Sequence, residues 1–122
     1  MPRYLYQAAY TADSWATQVK KNLNPVDRIR PLVEECGGRL DSLFYSFGDY
    51  DLVLILDMPD DEAAAAVSLA AAAGGSLRTA QTTKLLSAEE GMSAMRRAAE
   101  AGRVYTPPVS GTMPRQTAAP TS

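Results

Sequence analysis

The chain has 122 residues, 46% hydrophobic and 21% charged, which is typical of one globular domain. Its formal net charge of −2 gives no general attraction for phosphate backbones or anionic lipids, so we expect neither nucleic acid nor a membrane as a partner. Because there is no histidine and only one cysteine, Cys36, the commonest metal ligand is missing and no internal disulfide can form, and we expect no cofactor and no metal.

The N-terminal part of the chain predicts a strand followed by helices. Residues 3–10 alternate their side chains with the period of a strand. Residues 11–21 carry cap-like side chains and predict a short helical turn or two. Asn24 as the N-cap and Pro25 at the first helical position then open a longer helix.

A predicted hairpin follows, with strands over residues 39–47 and 51–57. The second of these strands, "DLVLILD", has no polar side, because leucines alternate with Val53 and Ile55. Such a strand is expected to be buried on both faces of its sheet.

The remaining pattern predicts an alanine-rich helix that starts at residues 59 and 60, a fourth strand over 76–86 and a last helix. The capping box Ser87-x-x-Glu90 opens that helix, which ends near Gly102. We expect the methionines at positions 92 and 95 to face a core. The predicted domain therefore covers residues 1–102, and the Pro/Thr-rich residues 103–122 are predicted to form a flexible tail.

This order of elements predicts an α+β protein with the ferredoxin-like βαββαβ fold and an extra C-terminal helix. The first and third strands should lie at the centre of the sheet. Two crossover helices cover one face only, so the other face needs either the last helix or a second copy of the chain. We expect a second copy, with the two open faces burying tyrosines and leucines in a dimeric α/β barrel.

Three segments resemble the GYD-domain family, small bacterial proteins named for the motif that stands here as Gly48-Asp49-Tyr50. The segments are "TADSWATQVKKNLNPVDRIRPLVEECGG", "FGDYDLVLILDMPDDEAAAA" and "RTAQTTKLLSAEEGMSAM", and the resemblance runs from residue 3 to about residue 99. It implies the dimeric α/β-barrel form of the ferredoxin-like fold but no particular activity. The Gly-x-Tyr-Asp turn also resembles the ligand-sensing domain of Lrp/AsnC-type regulators, in which small effectors sit between subunits.

The polar connection of the hairpin has a structural and a functional interpretation. In the structural one, Gly48 takes a positive φ, an aspartate accepts backbone N–H bonds and Tyr50 packs on a partner. In the functional one, Asp51 or Asp49 is a base or ligand-orienting group beside Tyr45, and these three residues are the candidate catalytic side chains.

Five residues are candidates for ligand binding because they bring aromatic rings or a cation to the predicted sheet and its connections. Trp15 is either a pocket lid or a plug at the edge of the core. Lys84, together with Arg78, either holds a carboxylate or phosphate or belongs to a solvated edge strand. The complete set is Tyr6, Trp15, Tyr45, Tyr50 and Lys84.

The sequence thus favours a homo-oligomeric module that binds a small organic molecule. A cofactor-independent enzyme that uses Asp/Tyr acid–base chemistry and an assembly protein with a partner-docking tail remain as alternatives. The longest apolar run, over residues 63–73, is shorter than the roughly 20 residues of a membrane span, and we expect the cytoplasm as the compartment.

Overall fold

The structure is a computed structural model, and it describes residues 1–109. The chain divides into two compact units, Met1–Leu85 and the segment that begins at Leu86. The elements are β1 (Arg3–Tyr10), α1 (Ala12–Lys21), α2 (Pro25–Glu35), β2 (Arg39–Tyr45), β3 (Leu52–Asp57), α3 (Asp61–Ala73), β4 (Leu77–Leu85), α4 (Ala88–Ala101) and a short 3₁₀ helix (Gly102–Val104).

The first unit is a four-stranded antiparallel sheet with the strand order β2-β3-β1-β4. The ferredoxin-like fold is therefore confirmed, as is the central position of the first and third strands. The segment before α2 was predicted as a turn or two, and α1 is longer, with 10 residues. It begins after Thr11, whose side chain accepts a hydrogen bond from the Ser14 N–H at 3.1 Å.

One face of the sheet packs against the helices and forms the core. Tyr4 and Tyr6 on β1 alternate with side chains of the other face, as do the leucines of β3. These buried side chains meet Val33 of α2, Val67 of α3 and Met58. The expectation that tyrosines and leucines cover the open face was therefore wrong, because the strands turn these residues toward the helices.

The opposite face, which we call the open face, carries a smaller apolar surface. Leu5, Val53 and Ile55 are half-buried there, and Phe44, which pairs with Val53 in the register of β2 and β3, is 60% exposed. The prediction that β3 is apolar on both sides is thus confirmed, but only its helix side is fully covered within the single chain.

Charged side chains form ion pairs at one end of the sheet. Asp57, at the end of β3, is buried and accepts hydrogen bonds from Arg3 at 2.9 Å and from Arg39 at 2.5 Å. The hydrogen bond and charge of Arg3, followed by the charge of Arg39, hold the pKa of the Asp57 carboxyl below its usual value, although burial opposes this shift.

The second unit contains α4, whose capping box between Ser87 and Glu90 is formed as predicted. None of the α4 side chains is buried, and Met92 and Met95 are 54% and 65% exposed, so the core predicted around them is not formed within the second unit. The predicted division at residues 102 and 103 stays a prediction, since residues 110–122 lie outside the described residues. No helix of residues 1–109 is both long and apolar enough to span a membrane.

Candidate functional site

The connection between β2 and β3 is a closed loop of six residues, 46–51. The Ser46 N–H donates to the Asp51 carbonyl at 2.9 Å, and the Ser46 hydroxyl donates to the Tyr50 carbonyl at 2.7 Å. The prediction that Gly48 has a positive φ is wrong, since only Gly37 and Gly75 among the described glycines do. A six-residue loop reverses the chain without the left-handed residue that a two-residue turn needs.

Asp51 ties this loop to β1 and α1. The pairing of β1 with β3 ends at Ala8 and Leu52, and beyond it the Tyr10 N–H donates to Asp51 Oδ2 at 2.9 Å. The Trp15 ring N–H donates to the same oxygen at 3.1 Å, and the Asp51 N–H donates to the Ala8 carbonyl at 2.8 Å. Asp51 therefore connects the strand, the loop and the helix through hydrogen bonds. This agrees with the structural interpretation, in which one aspartate of the connection accepts a backbone N–H bond.

Trp15 is fixed by aromatic neighbours as well as by this hydrogen bond. Its ring meets Tyr10 edge-on, with the centroids 5.2 Å apart and the planes at 75°, and it lies 6.2 Å from the ring of Tyr45. Edge-to-face and tilted contacts at these separations are favourable for aromatic rings. Trp15 is half-buried, so one part of the ring plugs the edge of the core and the other part is open to solvent.

Trp15, Tyr45 and Asp51 line a cleft of about 550 Å³, which we call the hairpin cleft. Tyr45 is 47% exposed in it, and Phe47 is fully exposed. The lining contains a carboxylate and no cation. It consists of Trp15, Tyr45, Ser46, Phe47, Gly48 and Asp51.

The structure thus brings together three of the predicted site residues, Trp15, Tyr45 and Asp51, and separates the others. Asp49 is exposed in the loop and does not line the cleft. The Tyr50 hydroxyl donates to Gln81 Oε1 on β4 at 2.9 Å, so this ring is held by its own chain.

Tyr6 and Lys84 lie elsewhere on the sheet. Tyr6 is buried between the sheet and the helices. Lys84 pairs with the Asp61 carboxylate at 3.1 Å, and the buried Tyr4 hydroxyl donates to the same oxygen at 2.5 Å. Together Tyr4, Asp61 and Lys84 line a second cleft of about 480 Å³ between α3 and β4. Lys84 therefore pairs with a carboxylate of its own chain.

Phe47 was missed as a site residue because the alternation of residues 39–47 assigned it to a strand. In the structure β2 ends at Tyr45, so Phe47 belongs to the loop and lines the hairpin cleft. The available signal in the sequence was an aromatic residue directly before Gly48-Asp49. Within residues 1–109, no group of three or more cysteine, aspartate and glutamate side chains is arranged to hold a metal ion.

Comparisons with known proteins agree with this fold. The family model described as the GYD domain matches residues 4–95. The solved structure of MtbAldR is similar, with a TM-score of 0.54 and 10% identity; the match covers 70% of this chain and 52% of that one, so this chain spans about half the length of MtbAldR.

Ribosomal protein S6 of the 30S subunit from Thermotoga maritima is also similar, with a TM-score of 0.51 and 13% identity over 84% of this chain and 98% of that one. At these identities the likeness extends to the fold alone. No curated protein matches the chain significantly.

Proposed function

The chain belongs to the GYD-domain family, and we propose that it is a homo-oligomeric module that binds a small organic molecule in the hairpin cleft. The observation that carries this proposal is the meeting of Trp15, Tyr45 and Asp51 around one cleft. These residues come from a helix, a strand end and a loop, and a shared hydrogen bond and ring contacts fix them in place.

The lining of the hairpin cleft suits a ligand with a flat or apolar body and an N–H or cationic group. The three rings of Trp15, Tyr45 and Phe47 provide stacking surface, and aromatic faces attract cations. Asp51 uses Oδ2 for the Tyr10 and Trp15 donors, and no hydrogen bond within residues 1–109 engages its Oδ1. The volume falls within the range of about 300–1,000 Å³ that is usual for small-molecule sites.

The open face supports the homo-oligomeric part of the proposal. A second copy that meets this face would cover Leu5, Phe44, Val53 and Ile55, which α1, α2 and α3 leave uncovered. Closed pairs with twofold symmetry are the commonest way in which identical chains bury such a surface. The dimeric α/β barrel implied by the family resemblance has this arrangement.

A thermal-shift screen of the full chain against a metabolite library tests the binding function. A ligand that binds only the folded state increases the free energy of unfolding by RT ln(1 + [L]/Kd). The melting temperature therefore rises with ligand concentration. Because Trp15 is the only tryptophan, its emission reports directly on the hairpin cleft, and we expect it to change as a hit is titrated.

Replacing Tyr45 by alanine should weaken the binding free energy of the identified ligand by about 0.5–1.5 kcal/mol, the usual contribution of an aromatic pair. The matched control is Leu69→Ala, which removes an exposed side chain of α3 that does not line the hairpin cleft and should leave binding unchanged. A library without a single dose-dependent hit, or a hit that Tyr45→Ala does not weaken, would contradict the proposed site.

A further inference from the structure

A partly enclosed cavity of about 140 Å³ lies between the sheet and helices α2 and α3. Its walls are mostly apolar, with Leu52 and Leu54 from β3, Ile29 and Leu32 from α2, and Val67 from α3. Apolar cavities of about 150 Å³ in other proteins remain dry and take up a benzene-sized molecule. This cavity is separate from the hairpin cleft, since the two share no lining residue.

The cavity adjoins an outer cleft of about 360 Å³ with more polar walls. Tyr10, Arg28 and Ser76 line both spaces and so mark the boundary between them. A molecule that occupied the cavity would therefore place its outer end against the Arg28 guanidinium and the polar groups beside it.

Arg28 is held at this boundary by neutral acceptors. Its Nη2 donates to the Tyr10 hydroxyl at 3.2 Å and to Gln18 Oε1 at 3.1 Å. Gln18 is a buried polar residue, 7% exposed, and its amide in turn donates to the Ser14 hydroxyl at 3.1 Å. Hydrogen bonds to the buried side chains of Tyr10 and Gln18 thus fix the position of the guanidinium.

No carboxylate of residues 1–109 forms an ion pair with Arg28, whereas Arg3 and Arg39 on the same unit pair with aspartates. A guanidinium has five donors in a planar fork that matches a carboxylate, and Arg28 uses only one of its nitrogens in the contacts above. Its charge and its remaining donors are therefore available at the mouth of an apolar cavity.

Tyr6 is a second polar residue in the lining of the cavity. It lines the cavity and is 4% exposed, and its hydroxyl has no hydrogen-bond partner. Burial raises the pKa of Tyr6, and the nearby Ser68 on α3 opposes this rise. Buried hydroxyl groups are usually paired, so the Tyr6 hydroxyl leaves hydrogen-bonding capacity unused within the core.

We propose that this cavity, with Arg28 at its mouth and Tyr6 in its lining, binds a small carboxylic acid with a compact apolar body. The carboxylate accepts hydrogen bonds from the Arg28 guanidinium, and the apolar body fills the cavity between β3, α2 and α3. The proposal does not depend on the hairpin cleft, because its polar and apolar contacts come from a separate set of residues.

Benzoate and its neutral counterpart benzyl alcohol are suitable probes, because they share a ring that the cavity can hold and differ in the charge at its outer end. We expect titration calorimetry on the full chain to show at least about tenfold tighter binding of benzoate, since a hydrogen-bonded charge adds that much or more. Methyl resonances of Leu52, Leu54 and Val67 should shift with benzoate.

Arg28→Gln should abolish the preference for benzoate, and Arg30→Gln is the matched control. Arg30 is exposed on the same helix but points to another side, two residues further on. Ala71→Leu, which fills the cavity from α3, should prevent binding of both probes while circular dichroism shows an intact fold.

The proposal would be overturned by no binding of benzoate up to 10 mM, by an equal affinity for the two probes, or by an unchanged preference in Arg28→Gln. Binding that survives Ala71→Leu in a folded protein would place the ligand outside the cavity and would equally contradict it. Trp15 emission, the readout of the hairpin cleft, is separate from these measurements, so the two sites can fail independently.

Discussion

Tyr4 lies in an environment that favours its protonated form. Burial, followed by the hydrogen bond to Asp61, raises its pKa from 10.0 to about 12. The raised value favours the neutral phenol in the folded state. Its contribution to the free energy of unfolding is therefore complete below pH 10 and is lost as the pH rises from 10 to about 12.

This shift can be tested by tyrosinate absorbance at pH 11. With the fold intact by circular dichroism, the wild type and Tyr4→Phe should show nearly the same absorbance, because Tyr4 remains mostly protonated. Asp61→Asn should move the Tyr4 transition to lower pH, since it removes the charge and changes the hydrogen bond. A wild type that exceeds Tyr4→Phe by one full tyrosinate at pH 11 would refute the environment described for Tyr4.

The roles of single residues could be predicted where a local rule applies. Asn24 and Ser87 cap helices as their types and spacing indicate. Asp51 was identified as a possible acceptor, but its partners Tyr10 and Trp15 lie 41 and 36 residues away in sequence, so only the folded sheet reveals them. The positive φ expected of Gly48 failed because the loop is longer than the turn that the rule describes.

At the scale of elements, Gly38 marks the closest approach between the start of β2 and the end of β3. A Cβ atom on Gly38 would lie 2.3 Å from Met58 Sδ and 2.6 Å from the Asp57 carbonyl oxygen. Met58 is completely buried and Asp57 nearly so, which leaves little space for either to move. Only glycine lets the two segments pack this closely.

We therefore expect Gly38→Ala to destabilise the protein by about 1–3 kcal/mol or more, as overpacking does in a dense core. Gly48→Ala is the matched control, because a Cβ there meets no atom within 4 Å and the φ of Gly48 is not positive. It should change the free energy of unfolding by less than about 0.5 kcal/mol. Urea denaturation measures both, and equal effects of the two variants would contradict the described packing.

Element types could be predicted from periodicity and caps, while lengths depended on tertiary contacts. The strands β1 and β4 match the predicted ranges closely because their alternation is long and their ends carry turn residues. α1 is longer than predicted, since Trp15 packs on Tyr10 and Tyr45 and stabilises a helix whose own pattern is weak. The position of the ring cluster therefore required the structure.

At the scale of the whole molecule, the open face is the side of the sheet that α1, α2 and α3 leave uncovered. Ile55 is half-buried on β3 and pairs with Leu5 across the centre of the sheet, and Phe44 extends the apolar area onto β2. A contiguous apolar surface on a sheet face usually marks an interaction site. In the proposed dimer, a second copy of the chain covers this surface.

Ile55→Asp should separate the proposed dimer, because it would place an unpaired carboxylate in the interface at a cost of several kcal/mol. The matched control is Leu69→Asp, which adds the same charge at an exposed position of α3, outside the open face. Size-exclusion chromatography with light scattering should give a monomer for the first variant and a dimer for the second. A dimer that tolerates Ile55→Asp would have to use another surface.

Sedimentation velocity of the unmodified protein at low micromolar concentration is the most direct test of the homo-oligomeric module. The account predicts a particle with about twice the chain mass of 13.1 kDa. A mass near 13.1 kDa, together with the full helix and sheet signal in circular dichroism, would contradict it.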